Sequence, residues 1–387
     1  MLTKNITLKK FGVKKNFINN RKKTIILLKN LSSNKFFYSL TKKYKYSFDK
    51  YKIKKYKKFL NFNVIGIGGS ALGIKAIYNF LNFKIKKKFT FFDNITLSKK
   101  IDSKKNKNLN IIISKSGNTL ETISNFHSLK DKKNSIFICE NSNNYLRNLA
   151  YKLKCEIIDH RNYIGGRYSV LSEVGILPSI LMGLNEKKFK DYNNLIKKKT
   201  FVDGLVDSVF STIFFIKKKK LNSIILNYDK NSDDLFYWYQ QLIAESLGKK
   251  SKGLLPIISL MPRDNHSLLQ LYLDGPKNSF YTFYDVVERN QKKINCTHIL
   301  KSHNYLKNKS FFQIKSAQKN ATINVFEKQK IPFRYFNVQN RSEKSLGEIF
   351  TFFMLETILL GKFLNVNPFD QPSVELIKTE TRKILKN

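Results

Sequence analysis

Short apolar runs that end at glycine or hydroxyl residues, each followed by a helical pattern of apolar positions, recur along this chain. The first run, at residues 62–67, stops at glycines and leads into apolar positions spaced for a helix over residues 72–80. Units of strand, turn and helix in series predict a parallel sheet with helices on both faces. The fold class that we expect is therefore α/β.

The predicted elements fall into two sets. The first has strands at residues 62–67, 109–113, 135–139 and 156–158, with helices at 72–80, 119–129 and 143–153. The second has strands at residues 223–228, 254–260, 280–283 and 332–336, with helices at 234–247, 313–330, 345–363 and 373–385. A chain of 387 residues usually exceeds one core. We predict a basic helical segment at residues 1–58, a first α/β lobe at 59–185 and a second at 200–387, after a lysine-rich stretch.

The formal net charge of the chain is +44 at pH 7. A basic surface attracts the phosphate backbone of nucleic acids. Here, however, the lysines are spread over the whole length, and runs such as residues 86–88, 197–199 and 217–220 fall between apolar segments, where solvated turns belong. We therefore expect the charge to favour small anionic substrates and expect no nucleic-acid partner.

The compartment and the absence of metal are also predicted from composition. No apolar run approaches the roughly 20 residues of a membrane-spanning helix, and the basic N-terminus has no apolar core or small-residue cleavage site. The three cysteines, Cys139, Cys155 and Cys296, are odd in number and show no CxxC spacing. This pattern disfavours a disulfide framework or a zinc site. We expect a cytoplasmic protein without a membrane partner or a metal.

Residues 66–73 read Gly-Ile-Gly-Gly-Ser-Ala-Leu-Gly. Glycines at such a turn let the backbone approach a ligand closely. Ser70 is expected at a helix N-terminus, where free N–H groups favour an anion. The spacing also fits a dinucleotide-binding fingerprint, although no acidic residue ends a second strand about 20 residues later. A tight packing turn is the other alternative.

A second loop, at residues 114–119, is rich in hydroxyl groups. Ser114, Ser116 and Thr119 follow a predicted buried strand and open a predicted helix, which is a suitable cradle for a phosphate monoester. Asn118 and Glu121 have the spacing of a capping box. Capping alone would explain one or two of these residues, but not the three hydroxyl groups together.

Two further motifs carry charged side chains. Arg167 lies between glycines and aromatic residues at 165–169, where the guanidinium fork suits an anionic group; a structural ion pair is the alternative. Gln241 and Glu245 are four residues apart and share one helix face beside an apolar stripe. A partly desolvated carboxylate there suits general-base work. The alternative is an exposed glutamate with a lysine partner such as Lys249.

The last candidate residues are separated along the second half. His266, one of five histidines, lies in an Asp-Asn-His-Ser stretch. Pro372 is expected to start the final helix, so that Gln371 precedes it and Lys378 lies nearly two turns in.

In their order along residues 64–378, these motifs resemble those of the glucose-6-phosphate isomerase (phosphoglucose isomerase) family. The resemblance implies two sugar-isomerase (SIS) lobes, each with a five-stranded parallel sheet between helices. It implies an enzyme of glycolysis and gluconeogenesis that interconverts glucose 6-phosphate and fructose 6-phosphate by ring opening and enediolate proton transfer. It also implies a homodimer with shared active sites and no cofactor.

The resemblance further implies a role for each candidate residue. Glu245 matches the base that carries the proton between C1 and C2, and Arg167 matches the cation that stabilises the enediolate. His266 matches the ring-opening residue contributed by the neighbouring subunit, with Lys378 as its partner in that step. The residues that match substrate or phosphate contacts are Gly69, Ser70, Ser114, the backbone of Lys115, Ser116, Thr119, Gln241 and Gln371.

Two positions depart from the family pattern, and other functions remain open. Asn118 stands where the family commonly has threonine, and Ser373 stands where it often has glycine. The alternatives are a related isomerase that also accepts mannose 6-phosphate, a non-catalytic sugar-isomerase sensor, and a basic nucleic-acid-binding protein. A sensor needs the phosphate loops but not Glu245, His266 and Lys378 together, so their joint presence favours the enzyme.

Overall fold

Ten strands form two sheets in the residues that the computed structural model describes, which are 1–13, 18–32, 34–95, 108–288 and 293–386. In chain order the strands are β1 (Ile6–Lys9), β2 (Asn61–Ile65), β3 (Lys88–Phe92), β4 (Asn108–Ile113), β5 (Ser135–Glu140), β6 (Glu156–His160), β7 (Asn222–Asn227), β8 (Leu255–Leu260), β9 (Ser279–Val286) and β10 (Phe333–Val338).

Helices cover the faces of both sheets. In chain order they are α1 (Ile18–Ser32), α2 (Lys35–Tyr38), α3 (Lys50–Ile53), α4 (Leu72–Phe80), α5 (Leu120–His127), α6 (Tyr145–Lys152), α7 (Glu173–Leu181), α8 (Tyr192–Leu195), α9 (Lys199–Lys217), α10 (Asp233–Leu247), α11 (Leu269–Asp274), α12 (Phe311–Lys328), α13 (Glu343–Phe363) and α14 (Ser373–Ile384). The two-lobed α/β prediction is confirmed by this arrangement.

The first sheet is parallel throughout, with strand order β3-β2-β4-β5-β6. The chain leaves β2 toward β3 on one side and then returns to β4 on the other. The connections therefore diverge above the carboxyl ends of β2 and β4, which leaves a crevice where α/β proteins bind ligands. Strand β3 was missed in the sequence because the lysine run at residues 86–88 leads directly into it.

The second sheet has the order β1-β10-β9-β7-β8, and only four of its strands are parallel. Strand β1 runs antiparallel to β10, with Ile6 opposite Val338. The expectation of a five-stranded parallel sheet is therefore wrong for this lobe. The sheet is completed by a strand from the other end of the chain, and this strand enters it in the opposite direction.

The N-terminal segment was predicted to be helical, and this is wrong for its first residues. Without β1, strand β10 would be an edge strand with unpaired N–H and C=O groups. Ile6 is buried, and the Thr3 hydroxyl donates to Glu348 at 2.6 Å, while the Asn5 amide donates to the same carboxylate at 3.0 Å. The contacts join residues more than 340 positions apart, so local sequence did not reveal them.

Three helices, α7, α8 and α9, were also missed. All residues of α7 are buried, including Glu173 and Pro178. An apolar segment without a polar face gives no amphipathic period, so sequence periodicity does not distinguish it as a helix. Among the described helices, none has both the length and the apolar character needed to cross a membrane.

The lobes meet where α10 of the second lobe packs against α4 of the first, while α13 supports α10 from within the second lobe. Trp238 of α10 is 1% exposed and packs edge-to-face on Phe350 of α13, with ring centroids 4.7 Å apart. Its indole N–H donates to the carbonyl of Arg167 at 3.0 Å. This packing fixes the face of α10 that carries Gln241 and Glu245, and brings it to the edge of the first sheet.

A buried lysine fastens the N-terminal segment to the first lobe. Lys190 is 2% exposed, its Nζ lies 4.4 Å from the ring centroids of both Tyr44 and Tyr46, and it has no hydrogen-bond partner among the described residues. Burial lowers the pKa of Lys190 to about 7, against the opposing field of Glu173. The Tyr44 hydroxyl donates to Glu173 at 2.9 Å, so the segment and the lobe share one buried cluster.

We predict that Lys190 makes stability rise with pH above neutrality. Between the folded pKa of about 7 and the ordinary value of 10.5, the unfolded chain keeps a proton that the folded chain releases. The free energy of unfolding then rises with pH by at most about 1.4 kcal/mol per unit. Urea unfolding from pH 7 to pH 9 should show Lys190→Met more stable than wild type at pH 7, with the gap closing at higher pH.

The exposed Lys188 provides the matched control, because Lys188→Met removes a lysine from the same short stretch without touching the cluster. Its unfolding curve should follow wild type at each pH. If the free energies of unfolding of Lys190→Met and wild type changed in parallel with pH, the result would contradict a neutral amine at Lys190 in the folded protein.

Candidate active site

The two candidate phosphate loops lie side by side at the carboxyl ends of neighbouring strands. The glycine-rich loop follows β2 and the hydroxyl loop follows β4, whose residues Ile65 and Ile112 are paired. A Cβ atom at Gly66 would lie 2.8 Å from the carbonyl oxygen of Ile113 and 2.9 Å from the Cβ of Ser70. The glycine-rich loop is therefore packed against the end of β4, where the hydroxyl loop begins and where the strand order of the first sheet reverses.

The hydroxyl loop is held in shape by a glycine and an asparagine. Gly117 has φ +66°, and a Cβ there would lie 1.8 Å from Oδ1 of Asn144. The side-chain oxygen of Asn118 accepts the N–H of Tyr145 at 3.0 Å. The predicted capping box is wrong, since Thr119 is the N-cap of α5 and Asn118 bonds to the neighbouring helix instead.

The predicted phosphate ligands of this loop have different surroundings. Ser114 is buried, and its Oγ lies 2.7 Å from Oγ1 of Thr119. Ser116 is exposed. The Lys115 ammonium donates to the carbonyl of Asn162 at 2.9 Å and thus extends away from the loop. The backbone of Lys115, rather than its ammonium group, therefore remains the candidate phosphate contact at this position.

The glycine-rich loop contacts both the arginine motif and α10. Gly68 has φ +57°, and a Cβ there would lie 2.7 Å from Nε2 of Gln241. A Cβ at Gly69 would lie 2.2 Å from the carbonyl carbon of Gly166. These close approaches of backbone to backbone and backbone to amide place Arg167 and Gln241 beside the first loop.

Arg167 is the centre of the site. The residue is 2% exposed, and its Nε donates to the Ser246 hydroxyl at 2.7 Å. Nη1 donates to Gln371 Oε1 at 2.6 Å and to Glu245 Oε2 at 3.3 Å. Nη2 donates to the carbonyls of Pro368 at 2.7 Å and Asp370 at 3.0 Å.

All five N–H donors of Arg167 thus have acceptors in the described residues. The structural ion pair considered from the sequence is present, and it joins the arginine to the candidate base itself. A substrate oxygen can bond to this guanidinium only in exchange for one of the present acceptors. Nη1 is the nitrogen that faces the two candidate site residues, Glu245 and Gln371.

The carboxylate of Glu245 is oriented from two sides. Arg167 bonds to Oε2, and the Gln241 amide donates to Oε1 at 2.9 Å. The side chain of Glu245 is 26% exposed, so the predicted partial desolvation is confirmed. Gln241 Oε1 is buried without a hydrogen-bond donor in the described part of the chain and can accept a ligand hydroxyl. Lys249, the alternative partner, pairs with Asp370 instead.

Comparison with known proteins identifies the family of this chain. The chain matches the family described as "Phosphoglucose isomerase" over residues 39–387. The chain belongs to this family. It is 33% identical to glucose-6-phosphate isomerase of Mycoplasmopsis pulmonis, with 84% of this chain and 82% of that protein aligned. It is 29% identical to that of Methanocaldococcus jannaschii (89% and 88%) and 30% identical to that of Campylobacter jejuni (84% and 86%).

Solved structures support the family fold. A hypothetical protein from Thermus thermophilus superposes with a TM-score of 0.83 and 23% identity, covering 96% of each chain. A glucose-6-phosphate isomerase from Chlamydia trachomatis superposes with a TM-score of 0.79 and 16% identity, covering 99% of this chain and 89% of that one. The two-lobed arrangement is therefore the phosphoglucose isomerase fold.

Two residues expected at a phosphoglucose isomerase site do not join it within one chain. His266 is exposed at the end of a 3₁₀ turn, Arg263–His266, and its ring makes no hydrogen bond to a described residue. Lys378 is exposed on α14, where it bonds to Glu375 at 2.6 Å. The contacts within one chain bring together Arg167, Glu245, Gln241 and Gln371, but not these two.

Several side chains of the site were missed in the sequence. Ser246 accepts from Arg167, and the Tyr168 hydroxyl lies 2.9 Å from Ser246 Oγ and donates to the carbonyl of Pro368 at 3.0 Å. Burial raises the pKa of Tyr168, which keeps it a donor. A buried arginine needs several hydrogen-bond acceptors. Ser246 could have been considered as one of them, because it directly follows the candidate base in the sequence.

We predict that alanine substitutions at two facing glycines of the candidate site lower the free energy of unfolding by unequal amounts. Gly69→Ala forces a methyl group against the backbone of Gly166 and should lower the free energy of unfolding by about 2–3 kcal/mol, as expected for overpacking. Gly166→Ala is the matched control, because its Cβ meets no atom within 4 Å. That change should stay within about 0.5 kcal/mol of wild type. Urea unfolding measures both, and similar losses for both variants would refute the contact.

Proposed function

We propose that this protein interconverts glucose 6-phosphate and fructose 6-phosphate. The observation that carries the proposal is the pairing of Glu245 with Arg167 beside two anion-suited loops, in a chain that belongs to the phosphoglucose isomerase family. Moving a carbonyl from C1 to C2 requires a base near both carbons and a cation near their oxygens. The paired carboxylate and guanidinium supply both.

In the proposed reaction, Glu245 removes the C2 proton of the open-chain aldose. The electron pair of the broken C–H bond forms the C1–C2 double bond, and the C1 carbonyl oxygen takes the negative charge. Arg167 stabilises this enediolate in place of one of its present acceptors. The O2 proton passes to O1, and Glu245 returns its proton to C1, which gives the ketose. Gln241 Oε1, a buried acceptor without a donor among the described residues, accepts a substrate hydroxyl.

The phosphate is proposed to lie at the switch point of the first sheet. Ser70 is carried by the glycine-rich loop, and Ser114, Ser116 and Thr119 are carried by the loop after β4. Hydroxyls and loop N–H groups at the start of helices suit a dianion, as does the positive net charge. Gly69 and the backbone of Lys115 complete the proposed cradle.

Replacing Glu245 by glutamine should preserve the shape of the site and remove the base. We expect Glu245→Gln to lower kcat by roughly 100- to 10,000-fold, the usual contribution of a positioned acid–base group. Exchange of the C2 proton with solvent, followed by NMR, should fall in parallel.

Glu327→Gln provides the control for this test, because Glu327 forms a half-exposed ion pair with Lys9 far along the chain. This variant should isomerise at the wild-type rate. Near-normal turnover of Glu245→Gln would show that another group moves the proton.

We further propose a homodimer in which His266 completes the partner's pocket and opens the sugar ring together with Lys378. Two features of the single chain support this arrangement. His266 is exposed and unbonded to described residues. Helix α14 has no buried residue and exposes Leu376, Ile377 and Ile384, which are apolar side chains that a partner subunit would cover.

A shared site predicts recovery of activity when two inactive variants are mixed. Glu245→Gln and His266→Ala, each nearly inactive, are unfolded together and refolded in equal amounts. Random pairing gives about half mixed dimers, each with one intact pocket, so about a quarter of full activity should return. If both residues served the same chain, every pocket would keep a lesion. An inactive mixture that contains heterodimers by native mass spectrometry would exclude the shared site.

A cytoplasmic location is proposed with this function. Cys139, Cys155 and Cys296 are free thiols in the structure, which fits a reducing compartment.

A further inference from the structure

The chain between α13 and α14 carries Gln371 into the site without regular secondary structure. We refer to residues 367–371 as the Gln371 segment. Within it, the Asn367 amide donates to Asp370 Oδ2 at 2.9 Å, and Asn367 Oδ1 accepts the N–H of Phe369 at 3.1 Å. These bonds shape the turn but do not attach it to the rest of the protein. Its attachment depends on groups outside the segment.

From outside the segment, Arg167 donates to the carbonyls of Pro368 and Asp370, and the Tyr168 hydroxyl also donates to the carbonyl of Pro368. Lys249 makes a further attachment. Its ammonium lies 2.6 Å from Asp370 Oδ1 and also donates to the carbonyl of Asn367. The Lys249 side chain is 11% exposed although its partner Asp370 is 50% exposed, so the lysine is enclosed by the segment that it holds.

Lys249 is close in the chain to the candidate base. Lys249 lies four residues after the candidate base Glu245 and two after the end of α10. The N–H of Gly248 bonds to the carbonyl of Ala244, and the N–H of Lys249 bonds to the carbonyl of Leu247, so Lys249 is held against the end of α10. The end of this helix therefore carries the candidate base and, just beyond it, the lysine that holds the Gln371 segment.

We propose that Lys249 is a positioning residue of the isomerase site, holding the Gln371 segment so that the Gln371 amide is presented at Arg167. The inference rests on the proposed function for its kinetic consequence. Lys249 acts through the segment rather than on the substrate. Without Lys249, the segment must become ordered when substrate binds. The free-energy cost of this ordering weakens the binding of the substrate and of the transition state alike.

Steady-state kinetics test the consequence. Lys249→Met should raise KM for fructose 6-phosphate about tenfold and change kcat less than about threefold, as for lost uniform binding. Lys249→Arg, which keeps the cation, should recover most of the affinity. Asp370→Asn should show a smaller rise in KM. Adding Asp370→Asn to Lys249→Met should cause no further loss, because the two side chains act on one contact.

Lys252→Met is the matched control. Lys252 lies three residues further on and donates to the carbonyl of Leu364 at 2.8 Å, outside the Gln371 segment. This variant should keep wild-type KM. An equal rise in KM for Lys252→Met, or a fall in kcat without a change in KM for Lys249→Met, would overturn the positioning role.

Amide hydrogen exchange, followed by mass spectrometry on the substrate-free protein, separates this inference from the proposed function. Peptides covering residues 366–372 should exchange faster in Lys249→Met than in wild type and Lys252→Met. An unchanged exchange rate would overturn the inference even in an active enzyme. If the wild-type protein failed to isomerise sugar phosphates, the proposed function would fall, and the exchange experiment would still decide whether Lys249 holds the segment.

Discussion

A buried guanidinium holds three separate parts of this chain together. Arg167 has lost nearly all contact with water, and a charge in that position is tolerated only where acceptors replace its hydration. The acceptors come from α10 through Glu245 and Ser246, and from the Gln371 segment. The same hydrogen bonds compensate the buried charge of Arg167 and orient the candidate base. The folding of the site and its proposed chemistry therefore depend on the same set of bonds. The backbone contact between Gly69 and Gly166 joins the glycine-rich loop to the same arrangement.

The site lies where the two lobes meet, and each lobe supplies a different kind of group. The strand order of the first, parallel sheet reverses between β2 and β4, and the crevice at this point is bordered by N–H and hydroxyl groups suited to an anion. The second lobe contributes α10, whose packing on α4 sets the distance from the base to that crevice. In the proposed function, a phosphate held at this crevice and a base held on α10 would define which carbons of the sugar lie between them. The N-terminal segment reinforces the arrangement, since β1 joins the second sheet while Tyr44 and Lys190 fasten the chain to the first lobe.

The sequence predicted the parts of the site that lie within one element. Gln241 and Glu245 share a face because a helix repeats every 3.6 residues, and their side chains are indeed bonded. The two loops follow apolar runs and were recognised from glycine and hydroxyl spacing. Residue roles were predicted from the family resemblance, not from spacing, and all of them stay predictions. His266 and Lys378 are moreover exposed and outside the site in a single chain. The partner of Lys249 was missed because it is set by the path of a segment 118 residues away.

By itself, the sequence determined most of the alternation of strands and helices, the two lobes, and the shared helix face of Gln241 and Glu245. These follow from backbone periodicity, turn chemistry and burial, which act over a few residues. The tertiary structure alone decided that β1 completes the second sheet, that Asn118 bonds to α6 rather than capping its own helix, and that Arg167 has an acceptor for each of its donors. Each of these joins residues remote in sequence, and the need to pair buried polar groups selects such contacts only after the chain has packed.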